Sequence, residues 1–146
     1  MKILAFALGN TFRADDGAGL AVARGLEDLL PGLEVLAVQE LRPEHADAVA
    51  RAAGVLFLDA SVAGEPGEIH AARLVPMTAR AALLHALTPE EILGLARTLH
   101  GRAPPAGLVT VAGREFAFGE GLSAEVEAAL PLAREKAREL AEAFAD

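Results

Sequence analysis

Apolar residues along the chain fall into two kinds of segment. Short apolar runs bounded by glycine, proline or charged residues have the length and composition of buried parallel strands. These runs span residues 3–8, 33–38, 55–58 and 108–112. Other segments repeat apolar residues every three or four positions, which is typical of amphipathic helices. We expect these helices at residues 17–30, 43–53, 88–100 and from 123 to near the end of the chain.

The helix expected after residue 87 carries sequence signals at both of its ends. Thr88 is the expected N-cap, Pro89 favours the first helical position, and Glu91 completes a capping box. Gly101 follows the last periodic residue and is expected to end the helix. Ser123 is the expected N-cap of the last helix.

The order of these elements predicts an α/β fold. Alternating strands and helices argue for a single three-layer α/β/α domain over residues 1–146. We expect a mostly parallel, twisted sheet of about five strands with helices on both faces. A weakly alternating segment at residues 69–75, after a turn at residues 65–68, is expected as an edge strand.

The composition excludes several classes of function. The chain has no cysteine, so it has neither a thiol nucleophile nor a thiolate metal site. A formal net charge of −8 and the absence of Trp and Tyr argue against nucleic-acid binding. No apolar run reaches the roughly 18 residues of a membrane span. We therefore expect a cytoplasmic protein that binds neither nucleic acid nor a membrane.

Carboxylates follow two of the expected strands. Asp15 and Asp16 lie in the glycine-bearing loop after the first strand, and Asp59 follows the third apolar run. Because ligands of open α/β sheets bind at the carboxyl ends of the strands, both positions are expected at the same edge. Each aspartate could instead cap a helix or a turn. Capping could account for one aspartate of the Asp15–Asp16 pair. It explains less well why both are present, because two neighbouring like charges repel each other.

Two glycines stand at the expected start of the first helix. Gly17 and Gly19 suggest a close approach of backbone or ligand there, because glycine in a helix interior costs about 1 kcal/mol relative to alanine. Their N–H groups could face a developing oxyanion. A dinucleotide-binding turn is the alternative, but the third glycine of that motif is missing. Asp15 and Asp16 would also repel a pyrophosphate.

Among the four histidines, His85 is the candidate for chemistry. It lies in the connection before the capping box, whereas the others are expected on helix surfaces or on the edge strand. Asp16, Asp59 and His85 together would supply two carboxylates and one imidazole, a set that suits a divalent first-row metal. Three protein ligands would leave positions open for water or a substrate group.

Five short segments form an ordered series over nearly the whole chain. They are Leu8-Gly9-Asn10 with Asp15-Asp16-Gly17-Ala18-Gly19, Leu41-Arg42-Pro43-Glu44-His45-Ala46, Leu58-Asp59-Ala60 with Pro66-Gly67, His85-x-Leu87-x-Pro89 with Leu93-x-x-Ala96, and Gly119-x-Gly121-Leu122-Ser123-x-Glu125-Val126. The series resembles the motifs of the hydrogenase maturation proteases. Each motif alone is weak, but five in register are specific.

The resemblance implies an α/β/α fold and a defined activity. Members of this family remove a C-terminal peptide from the large subunit of nickel-iron hydrogenase after nickel insertion. The expected partner is therefore a nickel-loaded hydrogenase large-subunit precursor. Residue by residue, the family's metal-contacting side chains correspond to Asp16, Asp59 and His85, which are the expected catalytic and metal-binding residues. The expected supporting residues are Gly9, Asn10, Asp15, Gly17 and Gly19.

Nickel is expected to be recognised in the substrate, and Zn or Cd is expected to substitute for it in vitro. The resemblance leaves open whether the metal also activates the attacking water. Two alternatives share the same ligand set: a nickel- or zinc-binding accessory protein that does not cut, and a family member that processes a different protein. We expect a monomer or a weak homo-oligomer.

Overall fold

The computed structural model describes residues 2–79 and 86–145. Strands and helices alternate along these ranges in the predicted order. The strands are β1 (Ile3–Leu8), β2 (Glu34–Val38), β3 (Gly54–Ser61), β4 (Ile69–Leu74) and β5 (Ala106–Ala112). The helices are α1 (Ala18–Leu29), α2 (Ala46–Arg51), α3 (Pro89–His100) and α4 (Ala124–Ala143). No helix in the described ranges is long and apolar enough to cross a membrane.

The described strands form one five-stranded sheet in the order β2-β1-β3-β5-β4. The strands β2, β1, β3 and β5 run parallel, and β4 pairs antiparallel with β5 at the edge. The register sets Phe6 beside Phe57 and Asp59 beside Thr110. This arrangement confirms the predicted mostly parallel sheet and the predicted edge strand.

Helices cover both faces of the sheet, as predicted. Successive residues of a strand point to opposite faces, so β1 and the part of β3 up to Leu58 carry no polar side chain. Ala5 and Leu56 pack towards α1 and α4 on one face. Phe6 and Phe57 pack towards α2 and α3 on the other, with their rings stacked at 5.5 Å between centroids. Each face of the sheet thus has its own apolar core.

The predicted helix ends are confirmed. The Thr88 hydroxyl accepts a hydrogen bond from the Glu91 N–H at 3.1 Å, and the Glu91 carboxylate accepts one from the Thr88 N–H at 2.9 Å. Gly101 follows α3 in the left-handed region at φ +75°. The Ser123 hydroxyl accepts from the Val126 N–H at the start of α4, at 3.4 Å.

Several boundaries differ from the sequence prediction, and β5 begins at Ala106 rather than at residue 108. The third strand continues through Ala60 and Ser61, because both pair with β5, so Asp59 lies within β3 rather than after it. The helix expected at residues 43–53 begins as a 3₁₀ turn and ends at Arg51. A further 3₁₀ turn, Ala14–Gly17, precedes α1 and carries both loop aspartates.

Candidate active site

Two of the predicted site residues meet at the carboxyl edge of the sheet. Asp16 lies on the 3₁₀ turn after β1, and Asp59 lies near the end of the neighbouring strand β3. Both side chains are partly buried. The charge of Asp16 acts on the ionisation of Asp59, so the two carboxylates are electrostatically coupled.

The backbone around Gly9 fixes Asp16 in place. The Asn10 N–H donates to Asp16 Oδ2 at 2.7 Å. Gly9 has φ +122°, and a Cβ atom at this position would lie 2.1 Å from the Asp16 carbonyl oxygen. Only glycine accommodates both the conformation and the contact. The Asn10 side chain accepts from the Phe12 N–H at 2.9 Å, so it shapes the loop while its backbone holds the carboxylate.

The carboxyl group of Asp59 has a pKa well above that of an ordinary aspartate. Burial raises the pKa of Asp59 to about 6, and the nearby charge of Asp16 acts in the same direction. A hydrogen bond from the Ala60 N–H to Oδ1, at 2.8 Å, opposes these effects only in part. Perturbed carboxylates of this kind are concentrated at functional sites.

Asp15 has a different role from its neighbour. It is fully buried, and its carboxylate accepts hydrogen bonds from the N–H groups of Arg114, Glu115 and Ser123 at 2.8, 2.9 and 2.7 Å. Burial acts to raise the pKa of Asp15, but these hydrogen bonds outweigh it and hold the pKa below its usual range. Asp15 therefore ties the loop before α4 to the site loop.

Neither loop aspartate caps α1, so capping does not explain the pair. The residue before α1 is Gly17, and no side chain accepts a hydrogen bond there. A Cβ atom on Gly19 would lie 2.3 Å from the Leu58 carbonyl oxygen and 2.9 Å from that of Leu8. The close approach predicted at Gly19 is therefore made by backbone. Gly17 has only an ordinary contact with Thr11, at 3.4 Å.

His85 lies outside the described residues, so its position relative to the two carboxylates stays a prediction. Within residues 2–79 and 86–145, no group of three or more His, Cys, Asp or Glu side chains is placed to hold a metal ion. His45 is partly buried rather than on the surface. Its Nδ1 accepts from the Arg42 N–H at 2.9 Å, and its ring packs edge-on against Phe6.

Sequence reasoning missed the contribution of the loop after β5. A Cβ atom on Gly113 would lie 2.8 Å from Asp15 Cβ and 2.5 Å from the Phe116 ring. Gly113 thus lets this loop close over the buried carboxylate. The available signal was a glycine directly after an apolar run, at the same sheet edge as the two aspartate loops.

The donor set fits a divalent cation. Asp16 Oδ1 and Asp59 Oδ2 have no hydrogen-bond partner among the described residues. Two neighbouring carboxylates, one of which ionises with difficulty, would be relieved by a bound positive charge. Carboxylate oxygens suit hard and borderline divalent ions, and an imidazole would extend the range to nickel and zinc.

Comparison with solved structures identifies the fold. The hydrogenase maturating endopeptidase HybD from E. coli is similar over 98% of this chain and 94% of its own, with a TM-score of 0.76 and 25% identity. The [NiFe] hydrogenase maturation protease HybD from Thermococcus kodakarensis is similar over 97% and 99%, with a TM-score of 0.70 and 27% identity.

The chain is a structural relative of the hydrogenase maturation proteases. The hydrogenase 2 maturation peptidase from a Thaumarchaeota archaeon has the same fold, with a TM-score of 0.72 and 23% identity over 97% of this chain and 99% of that one. The predicted resemblance is thereby confirmed, and assignment of the chain as a peptidase is supported. No family model and no curated protein matches the sequence.

Proposed function

We propose that this hydrogenase maturation protease relative is an endopeptidase that removes a C-terminal peptide from a nickel-loaded hydrogenase large-subunit precursor. The observation that carries the proposal is the coupled Asp16–Asp59 pair at the carboxyl edge of a sheet shared with the maturation endopeptidases. A ligand-binding crevice at this edge is the general rule for open α/β sheets.

Asp16, Asp59 and His85 are the residues proposed to contact the nickel of the substrate. Zn or Cd is proposed to substitute in vitro, because the same oxygen and nitrogen donors accept these ions. A divalent cation held at this point would supply Lewis acidity towards the scissile carbonyl.

Asp59 is the proposed general base. A cation held beside Asp59 would lower the pKa of its carboxyl group, so the pKa of about 6 describes the metal-free protein. In that state the carboxyl group is ionised at neutral pH yet more basic than an ordinary aspartate. It would accept a proton from the attacking water and return it to the leaving amine. Asp16 is fixed by the Asn10 N–H, so it would act by holding its charge in one place.

Two exposed aromatic side chains beside the site support a protein substrate. Phe12 and Phe118 are 55% and 82% exposed. They directly precede Arg13 and Gly119, which form a parallel bridge, and the Gly119 N–H donates to the Phe12 carbonyl at 2.7 Å. The bridge thus places the two aromatic residues on neighbouring backbones. Exposed aromatic residues that lie close together are typical of protein interaction sites.

The test is cleavage of a hydrogenase large-subunit precursor, purified in nickel-loaded and nickel-free forms and followed by intact-mass spectrometry. We expect the wild type to remove a C-terminal tail from the loaded form only. Asp59→Asn should lose this activity, whereas Asp28→Asn, at an exposed position of α1, should keep it. An intact precursor would favour the accessory-protein alternative. Normal cleavage by Asp59→Asn would refute the proposed base.

A further inference from the structure

A groove between α1 and α4 opens beside the turn that carries Asp16. It has a volume of about 390 Å³ and is lined by Thr11 and Gly17 near the site loop. Along α1 it continues past Leu20 to Arg24. The groove therefore adjoins the site loop and runs along the surface of the first helix.

Two arginines supply the positive charge of this groove. Arg134 of α4 is partly buried, and its guanidinium donates to the carbonyl oxygens of Ala21 and Val22 at 2.8 and 3.3 Å. A Cβ atom on Gly25 would lie 2.1 Å from Arg134 Nε, so the missing side chain makes room for the arginine. Arg134 is thus held in a fixed position against α1.

Neither groove arginine is neutralised by the described part of the chain. No carboxylate in these ranges lies within 4.0 Å of the Arg24 or Arg134 guanidinium. Glu127 also lines the groove but forms no ion pair there. The groove thus concentrates two guanidinium groups that have no carboxylate partner among the described residues, in a chain with a formal net charge of −8.

Three leucines supply an apolar part of the groove wall. Leu20, Leu122 and Leu130 line it alongside the arginines. Guanidinium groups recognise carboxylates through paired, charge-assisted hydrogen bonds, and apolar walls suit the aliphatic part of a peptide. The combined chemistry is that of a site for a peptide segment that carries a carboxylate.

We propose that this groove binds a carboxylate of the substrate polypeptide, either an Asp or Glu side chain or the chain terminus. Calling the peptide a substrate rests on the proposed function. Arg24 lies seven residues after Gly17, which is roughly 10 Å along a helix at about 1.5 Å per residue. An extended peptide covers that distance in about three residues. A carboxylate bound at Arg24 is therefore about three residues of extended peptide away from the turn that carries Asp16.

The test is an NMR titration of the isotope-labelled protein at low ionic strength with three short synthetic peptides. One is an acetylated alanine peptide with a free C-terminus, the second is its C-terminal amide, and the third is the amide with one Glu. We expect at least one carboxylate peptide to shift the side-chain N–H signals of Arg24 and Arg134, and the alanine amide to shift neither. The first and third peptides distinguish a chain terminus from an acidic side chain.

Variants locate the binding within the groove. Arg24→Gln should weaken carboxylate binding roughly fivefold, because a charge-assisted hydrogen bond is lost. Glu127→Gln should strengthen it by removing a competing charge. Arg97→Gln, at an exposed position of α3, should leave it unchanged. Arg24 is exposed, so its variant is expected to fold normally.

Equal binding of the acid and amide peptides, no carboxylate-dependent shift at millimolar peptide, or unchanged binding in Arg24→Gln would each overturn the proposal. These outcomes are independent of cleavage. An uncut precursor with carboxylate binding intact counts against the proposed function alone. Normal cleavage without carboxylate binding counts against the groove alone.

Discussion

Replacing Asp59 by asparagine should stabilise the metal-free protein while it removes the proposed catalytic base. Burial raises the pKa of Asp59 to about 6 from an ordinary 3.8. Each pKa unit of difference between the folded and unfolded chain corresponds to about 1.4 kcal/mol. Ionised Asp59 therefore lowers the free energy of unfolding by at most about 3 kcal/mol at neutral pH. Asparagine keeps an oxygen to accept the Ala60 N–H but carries no charge.

The sign of the effect fixes its pH dependence. Between about pH 4 and pH 6 the folded chain binds the Asp59 proton more tightly than the unfolded chain, so wild-type stability falls as the pH rises. Asp59→Asn should therefore match the wild type near pH 4. It should exceed the wild type by about 1–3 kcal/mol at pH 7. Such a gain at a functional residue would be a stability–activity trade-off.

The assay is urea unfolding followed by far-ultraviolet circular dichroism, since the chain has no Trp or Tyr to report by fluorescence. The metal-free wild type, Asp59→Asn and Asp28→Asn are compared at several pH values between 4 and 7. The exposed control should stay within about 0.5 kcal/mol of the wild type. A variant that is less stable than the wild type at pH 7, or a difference independent of pH, would refute the reasoning.

Three further substitutions test how the site is held. Gly9→Ala should destabilise the fold by about 2–4 kcal/mol and abolish cleavage. The control Gly32→Ala has open space around it, so it should cost about 1 kcal/mol and keep cleavage. Urea unfolding measures the stability of both variants, and mass spectrometry measures their cleavage. Asp15→Asn should lower the free energy of unfolding at pH 7 by about 2–4 kcal/mol, because an amide donor then faces backbone N–H groups. Because the pKa of Asp15 is depressed in the folded chain, this contribution is fully present above the ordinary pKa of 3.8 and is lost as the pH falls below that value. Phe118→Ser should leave stability within about 0.5 kcal/mol but raise the KM for the precursor roughly tenfold, as steady-state kinetics would show.

Local signals predicted much of the fold. The apolar run at β1 predicted its bounds, and the capping box at Thr88 with the glycine at residue 101 predicted both ends of α3. These features depend on neighbours within a few residues, so a single sequence contains them. The edge strand and the mostly parallel sheet were also predicted, whereas the strand order and the antiparallel direction of β4 were not.

Features that depend on distant residues could not be predicted in the same way. The extension of β3 beyond Asp59 comes from pairing with residues 110–112 of β5, about 50 positions away. The three hydrogen bonds to Asp15 come from N–H groups 99 to 108 residues later in the chain. The sequence therefore predicted that Asp15 and Asp16 lie at the sheet edge. It did not predict that Asp15 is fully buried and holds the loop before α4.

The approach of Asp16 and Asp59 to each other was predictable, because chemistry and topology agree there. Asp16 follows β1 and Asp59 lies near the carboxyl end of β3, and these neighbouring parallel strands bring the two residues together. The elevated pKa of Asp59 could not be predicted, because it depends on burial by side chains from several elements. His85 joins this pair only through the family resemblance and through the metal chemistry of the combined donor set.

Calorimetric titration of metal-free protein with Ni²⁺, Zn²⁺ and Cd²⁺ tests most directly whether Asp16, Asp59 and His85 form one site. The account predicts one-to-one binding that Asp16→Ala, Asp59→Ala and His85→Ala each weaken, while Asp28→Ala leaves it unchanged. Loss of a single ligand from a set of three is expected to weaken binding by roughly tenfold or more. Binding that is unchanged in all three site variants would contradict the assigned site.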